Sequence, residues 1–202
     1  MPKKEAIIYP LFSSPLMGVS LDIDSKKILD FIKKVPYRKL EFGYESQVSI
    51  SNKLLENKNL KKEKNIFLTA LNVYFKVLSY SGKFKILNSW ATKTLKNCGI
   101  PAHTHANSWL SAVYYPEYNE KFTIGFLQNY SYIGVDYDDP YNIYSCSEWK
   151  MTPPKNTLLI FPSSLNHKLN KNTSNKTRYS IALNVNPVGL FSKGSDIEGK
   201  YE

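Results

Sequence analysis

Pro101-Ala-His-Thr-His-Ala-Asn-Ser-Trp-Leu-Ser-Ala-Val-Tyr-Tyr-Pro116 holds two of the chain's three histidines, His103 and His105, one residue apart at the entry to an apolar run. The third, His167, closes Phe161-Pro-Ser-Ser-Leu-Asn-His167, again just after a short apolar run. A His-x-His pair at a strand end with one remote histidine is how a β-scaffold turns three imidazoles towards one metal ion. A lone His-x-His is more often coincidence than site, and a lone distal histidine says little. Together, in a chain with no other histidine, they favour a metal site.

Outward from this stretch the pattern is one of short strands. Phe84–Trp90, Lys121–Leu127, Tyr141–Tyr144, Thr157–Phe161 and Arg178–Val185 read as extended runs. Turn chemistry at Cys98-Gly99, Asp138-Asp139-Pro140, Thr152-Pro153-Pro154 and Asn170–Ser174 separates them. Upstream the period changes. Residues 5–23 are short extended pieces broken by Pro10, Pro15 and Gly18. Asp24 or Ser25 caps a first helix with Ile28, Leu29 and Ile32 on one face, and Pro36 ends it. Lys61–Tyr80 carries the strongest 3.6-residue pattern, through Phe67, Ala70, Leu71, Tyr74, Phe75 and Leu78, with Ser81-Gly82 after it. A helical front and a many-stranded back without intervening helices predict one α+β, mainly β domain over residues 1–202. Its parts are a helical support region (1–83), a β-barrel or sandwich core (84–190) and a tail (191–202).

The last strand is the informative one. Alternation puts Arg178, Ser180, Ala182 and Asn184 on one face and Tyr179, Ile181, Leu183 and Val185 on the other. The apolar face needs a cover that the front helices supply. The polar face, small and bearing an arginine, suits the lining of a ligand cavity. Of 27 basic residues only Arg38 and Arg178 are arginine. A chain that uses lysine almost everywhere keeps arginine where a planar, bidentate grip on a carboxylate is needed. Arg178 follows His167 by eleven residues, so a hairpin would bring the arginine strand beside the strand ending at His167.

Composition narrows the alternatives. A 202-residue chain with 42% hydrophobic and 14% aromatic residues can build a sizeable core. No stretch has the length of a membrane span, and the opening Met-Pro-Lys-Lys-Glu lacks a secretory apolar region, so a cytoplasmic protein is expected. Cys98 and Cys146 form no framework and read as free thiols. The net charge of +10 sits in residues 1–100, with eighteen basic against eight acidic residues, while 101–202 holds nine of each. Scattered lysines without a basic-aromatic motif read as a solvated face rather than a nucleic-acid surface. Trp90, Trp109 and Trp149 read as core or pocket wall.

In combination these motifs resemble the iron(II)- and 2-oxoglutarate-dependent dioxygenases, in particular a bacterial and phage subgroup distantly similar to prolyl hydroxylases. The resemblance rests on His103-Thr-His105-Ala-Asn107-Ser108-Trp-Leu110-Ser111-Ala-Val-Tyr114-Tyr115, on Phe161-Pro162-Ser163-Ser-Leu165-Asn-His167 and on Arg178-Tyr-Ser180-Ile-Ala-Leu-Asn184. It implies a double-stranded β-helix, or jelly-roll, with helices packed on one sheet. His103, His105 and His167 would then hold Fe(II), and Arg178 with Ser180 would hold the far carboxylate of 2-oxoglutarate. Tyr114 or Tyr115 would add a hydroxyl, alternation allowing one of the two, and Asn184 would line the pocket. The implied reaction couples decarboxylation of 2-oxoglutarate by O2 to hydroxylation of a substrate, a protein side chain or a small metabolite, that the sequence does not specify. Related jelly-roll enzymes often pair, which makes a homodimer the assembly to test.

Three departures bear on this. His105 stands where the wider family has an acidic ligand, so the set is three neutral imidazoles, a pattern shared with hydrolytic zinc sites. Asp136, Asp138 and Asp139 are the nearest alternative carboxylates, in a run that otherwise reads as a turn. Ala112 and Asn156 stand where the subgroup tends to have glycine, and asparagine tolerates the left-handed conformation. Two further readings therefore stand beside the oxygenase: a cupin-like three-histidine metal enzyme that does not use 2-oxoglutarate, and a non-catalytic metal-bearing jelly-roll.

Overall fold

Helix α1 (Ser25–Ile32) starts where its cap predicts, with the Asp24 carboxylate accepting from Lys27 N at 3.1 Å. Ile28 and Ile32 face inward and are fully buried. The computed structural model describes residues 13–40, 46–128, 142–191 and 199–201. Helix α2 (Lys61–Val77) buries Phe67, Ala70, Leu71, Tyr74 and Phe75, the predicted stripe. It ends three residues before Tyr80. Ser79 takes a left-handed φ of 54°, Tyr80 N donates to Phe75 O at 2.9 Å and Ser79 N to Lys76 O at 3.0 Å. That pair of bonds satisfies the last carbonyls and stops the helix before Gly82 is reached.

The strands are β1 (Met17–Ser20), β2 (Tyr37–Lys39), β3 (Gln47–Ser49), β4 (Lys83–Thr94), β5 (Ile100–His103), β6 (Leu110–Tyr115), β7 (Ile124–Leu127), β8 (Glu148–Met151), β9 (Thr157–Pro162), β10 (Asn166–Leu169), β11 (Arg178–Phe191) and β12 (Gly199–Tyr201). They form two antiparallel sheets. The major sheet runs β1-β9-β6-β11-β4-β3-β2, with β12 paired to the far end of β11, and the minor sheet runs β5-β10-β7-β8. This is the jelly-roll expected from the sequence.

Two apolar layers follow from strand alternation. Ile181, Leu183 and Val185 of β11, with Tyr114 of β6 and Leu158 and Ile160 of β9, join α1 and α2 in one core cluster. Tyr115, Leu159 and Phe161 point the other way and meet Ile124 and Phe126 of the minor sheet. Each fully buried aliphatic or aromatic side chain contributes roughly 1.5–3 kcal/mol, so one face of the major sheet is held by the helices, while the other packs partly on the minor sheet and partly lines the cavity between them.

Several elements differ from expectation. Besides β1, which falls in the stretch read as extended, the front region contributes two unexpected strands, β2 and β3, so that it extends the major sheet at both edges. Tyr141 lies outside the described residues, and 142–144 form a turn rather than a strand. There the Asn142 side chain accepts from Tyr144 N at 2.9 Å, giving the backbone a local alternative to pairing. The strand of this region is β8 instead. The expected hairpin between His167 and Arg178 is also absent. β10 pairs with β5 and β7, whereas β11 pairs with β4 and β6, so the two residues lie on opposite sheets. The crossing loop is tied by Asn172, 1% exposed, whose amide nitrogen donates to Thr94 O and Lys176 O while Asn97 N donates to its carbonyl.

Candidate metal centre

His103 and His167 are direct partners across β5 and β10. Cross-strand partners put their side chains on one face at close range, and the two imidazole centres are 4.4 Å apart. The pairing is tight at its far end, where a side chain on Gly99 would come within 2.7 Å of Leu169 O. His105 lies just past the end of β5, where its backbone N–H donates to Ser163 O at 3.0 Å. Its ring centre is 5.2 Å from each of the other two. One ligand nitrogen of each ring lies within 4.8 Å of the others.

The protonation pattern fits a divalent cation. His103 Nδ1 lies 2.8 Å from Pro101 O and His167 Nδ1 2.9 Å from Leu165 O. A carbonyl only accepts, so both Nδ1 atoms carry the proton and both Nε2 lone pairs are free. His105 Nδ1 lies 2.6 Å from Asn184 Oδ1, which implies the same tautomer. Burial pulls the His167 pKa down to about 4, opposed by the hydrogen bond to Leu165 O and reinforced by the neighbouring histidines. Burial lowers His105 as well, opposed by its bond to Asn184. Near neutral pH the His105 and His167 rings are therefore uncharged.

The sheet opposite supplies the rest. Ser180 and Ala182 of β11, Trp90 and Thr92 of β4 and Ser111 of β6 line the same cavity as the three histidines. Arg178, two residues before Ser180 on the same face, is 1% exposed. Its Nη1 donates to Thr123 O at 2.8 Å, while Nε and Nη2 have no hydrogen-bond partner among the described residues. Burial works against the guanidinium charge, and nearby Tyr115 opposes that effect. The guanidinium lies 5.2 Å from the Tyr115 ring and 6.0 Å from that of Phe122. The Tyr115 hydroxyl is buried close to it, outside hydrogen-bond geometry.

Tyr114 is elsewhere. Its ring packs 5.3 Å from Phe67 of α2 and its hydroxyl donates to Asn156 Oδ1 at 2.8 Å, so it belongs to the helical layer. Asn184, expected as pocket lining, meets His105. Cys98 is buried beneath the start of β5 and stands apart from the histidine group. The Asp136–Asp139 run lies outside the described residues. Two residues that the sequence reading left without a role, Ser111 and Ser163, touch the site: their hydroxyls are 2.8 Å apart, and Ser111 lies 3.1 Å from Asn184 Oδ1. Both sit inside the quoted motifs, but nothing in their spacing marks a hydroxyl buried beside an imidazole.

Residues 88–184, from β4 to β11, match the family described as "Putative 2OG-Fe(II) oxygenase". Over that span, a little under half of its length, the chain is similar to the 2-oxoglutarate–iron(II) oxygenases. The span contains all three histidines, Arg178 and Ser180. Solved structures agree on the oxygenase fold. A prolyl-4-hydroxylase from Pseudomonas putida matches with a TM-score of 0.59 at 11% identity, over 85% of this chain and 92% of its own. HygX from Streptomyces hygroscopicus, solved with nickel and 2-oxoglutarate bound, matches at 0.56 and 9% identity over 86% and 83%. The non-heme α-ketoglutarate-dependent epimerase SnoN from nogalamycin biosynthesis matches at 0.63 and 10% identity over 93% and 87%. No curated protein matches the sequence. Among the described residues, no helix is long and apolar enough to cross a membrane.

Proposed function

We propose that the protein is an Fe(II)- and 2-oxoglutarate-dependent dioxygenase that hydroxylates a protein side chain or a small metabolite, converting 2-oxoglutarate to succinate and CO2. The observation that carries this is Arg178: a guanidinium buried to 1% exposure, with two N–H donors unmatched, on the face that lines the three-histidine cavity. A buried cation with unmatched donors is costly unless an anion completes it. A carboxylate offers the two acceptors that a guanidinium fork takes. A metal hydrolase has no use for that clamp, which favours the oxygenase over the cupin-like alternative.

His103, His105 and His167 would hold the metal through Nε2, leaving positions for a chelating keto acid and oxygen. When bound, iron(II) supplies the redox chemistry that couples decarboxylation to oxidation of a C–H bond. The chain's own residues bind, orient and exclude water. Arg178 anchors the far carboxylate, the Ser180 hydroxyl stands beside it, and Tyr115 backs the guanidinium. Ile124, buried against Phe161 and Tyr115, keeps the inner end of the pocket dry. Three neutral imidazoles leave the full charge of the cation to be met by the dianionic cosubstrate. We read residues 1–202 as a single oxygenase domain, place it in the cytoplasm, and take a homodimer as its assembly to test.

Purified protein with iron(II) and 2-oxoglutarate should form succinate slowly even without a prime substrate, and a chelator should stop it. Failure to bind or turn over 2-oxoglutarate, with fold and metal intact, would overturn this reading.

A further inference from the structure

His105 differs from the other two histidines in what stands behind it. His103 and His167 each meet a backbone carbonyl, whose polarity is invariant. His105 meets the side-chain amide of Asn184 at 2.6 Å. An amide has two faces. Its oxygen would hold Nδ1 as N–H and free Nε2 for a metal; its nitrogen would hold the opposite tautomer and remove the ligand. Something must keep the oxygen turned towards the ring.

The surrounding hydroxyls do so in one consistent direction. Ser163 and Ser111 are 0% and 1% exposed, and their hydroxyl oxygens are 2.8 Å apart. Ser111 Oγ donates to Asn184 Oδ1 at 3.1 Å, which leaves it to accept from Ser163. His105 Nδ1 is 3.2 Å from the same Ser111 oxygen, where its N–H finds a second acceptor. With Asn184 reversed, the hydroxyl chain would have to run the other way, from the amide through Ser111 to Ser163, leaving the buried Ser163 proton without an acceptor among the described residues. A buried polar network that satisfies every member in one orientation only is a strong conformational restraint.

We infer that Asn184, locked by the Ser163–Ser111 hydroxyl chain, is a positioning residue that sets the tautomer of His105 and so completes the three-imidazole metal set. The three acceptors behind the histidines are all uncharged, which preserves neutral imidazoles and the full charge of the cation. The inference deepens the oxygenase reading, on which its metal-affinity arm rests; its tautomer arm does not need metal.

The test uses metal-free protein labelled with 15N-histidine, in which ring-nitrogen shifts and couplings report the tautomer of each histidine. In the wild type all three should be Nδ1–H. In Asn184→Leu, His105 alone should move to Nε2–H, with His103 and His167 unchanged as an internal check on the fold. Co(II) affinity, read by calorimetry and the visible d–d spectrum, should fall about 10–100-fold in that variant. Asn184→Asp, which keeps an acceptor, should restore both the tautomer and the affinity. Ser111→Ala should give an intermediate loss. An Nε2–H tautomer at His105 in the wild type would overturn the inference without any variant, as would unchanged Co(II) affinity in Asn184→Leu. If the wild-type protein shows the expected tautomers but binds no metal, the oxygenase reading fails and the positioning role stands.

Discussion

The guanidinium carbon of Arg178 lies 5.2 Å from the centre of the Tyr115 ring, both side chains buried between the two sheets with polar atoms to spare. Under the proposed function this pair is the preorganised grip for the far carboxylate of 2-oxoglutarate. Arg178→Lys keeps the charge but loses the planar fork. It should weaken 2-oxoglutarate by about 10–100-fold, the loss of one or two charge-assisted hydrogen bonds. Co(II) affinity measured without cosubstrate should stay within threefold of wild type. Titration calorimetry with each ligand separates the two effects.

Tyr114 and Tyr115 are adjacent in sequence and face opposite layers of the core. Tyr115→Phe should raise the 2-oxoglutarate Kd by about 3–10-fold with little change in the unfolding midpoint. Tyr114→Phe should do the reverse, costing about 1 kcal/mol of stability by stranding Asn156 Oδ1, with cosubstrate affinity unchanged. Equal behaviour of the two variants would refute the facing assigned to them.

Asn156 has φ 59°, a conformation that favours glycine. Its side chain nevertheless accepts from Tyr114 and donates to Ile23 O at 3.0 Å, stitching β9 to β6 and to the segment before α1. Asn156→Gly should therefore destabilise by about 1 kcal/mol despite easing the backbone, because two hydrogen bonds are lost. Urea denaturation gives the sign.

Acid should weaken the metal-free protein through its histidines. The His167 pKa falls from 6.5 to about 4 on folding, so the unfolded chain binds more protons between those values. The stability it contributes is complete above about pH 6.5 and is lost as pH drops towards 4, by about 2 kcal/mol between pH 7 and pH 5. His105 acts in the same direction. Urea titrations of chelator-treated protein at the two pH values measure this, and His167→Gln should flatten the difference.

Removing a ligand tests the centre itself. His167→Ala should abolish binding of Co(II) or Fe(II), and with it the chelate that helps hold 2-oxoglutarate, while circular dichroism stays native. Retained metal affinity would show that this ring is not a ligand.

Much of this was legible in one dimension because the determinants are local and periodic. Alternation along Arg178–Val185 assigns its faces without reference to any partner strand. The cap at Asp24 and the stripe from Phe67 to Phe75 follow from backbone geometry within a few residues. Residue chemistry alone marked the three histidines and the rare arginine. What only tertiary structure decided depends on groups far apart in the chain. The sequence cannot say that β10 pairs with β5 and β7 rather than with β11, because pairing is set by which faces are buried after the sheets meet. Nor can it say which of two adjacent tyrosines turns towards the arginine, since that depends on where the helices cover the sheet. That Asn184 stands behind His105, 79 residues away, and is held there by two buried serines, is written in no spacing. It exists only once three strands and a turn have converged on one imidazole.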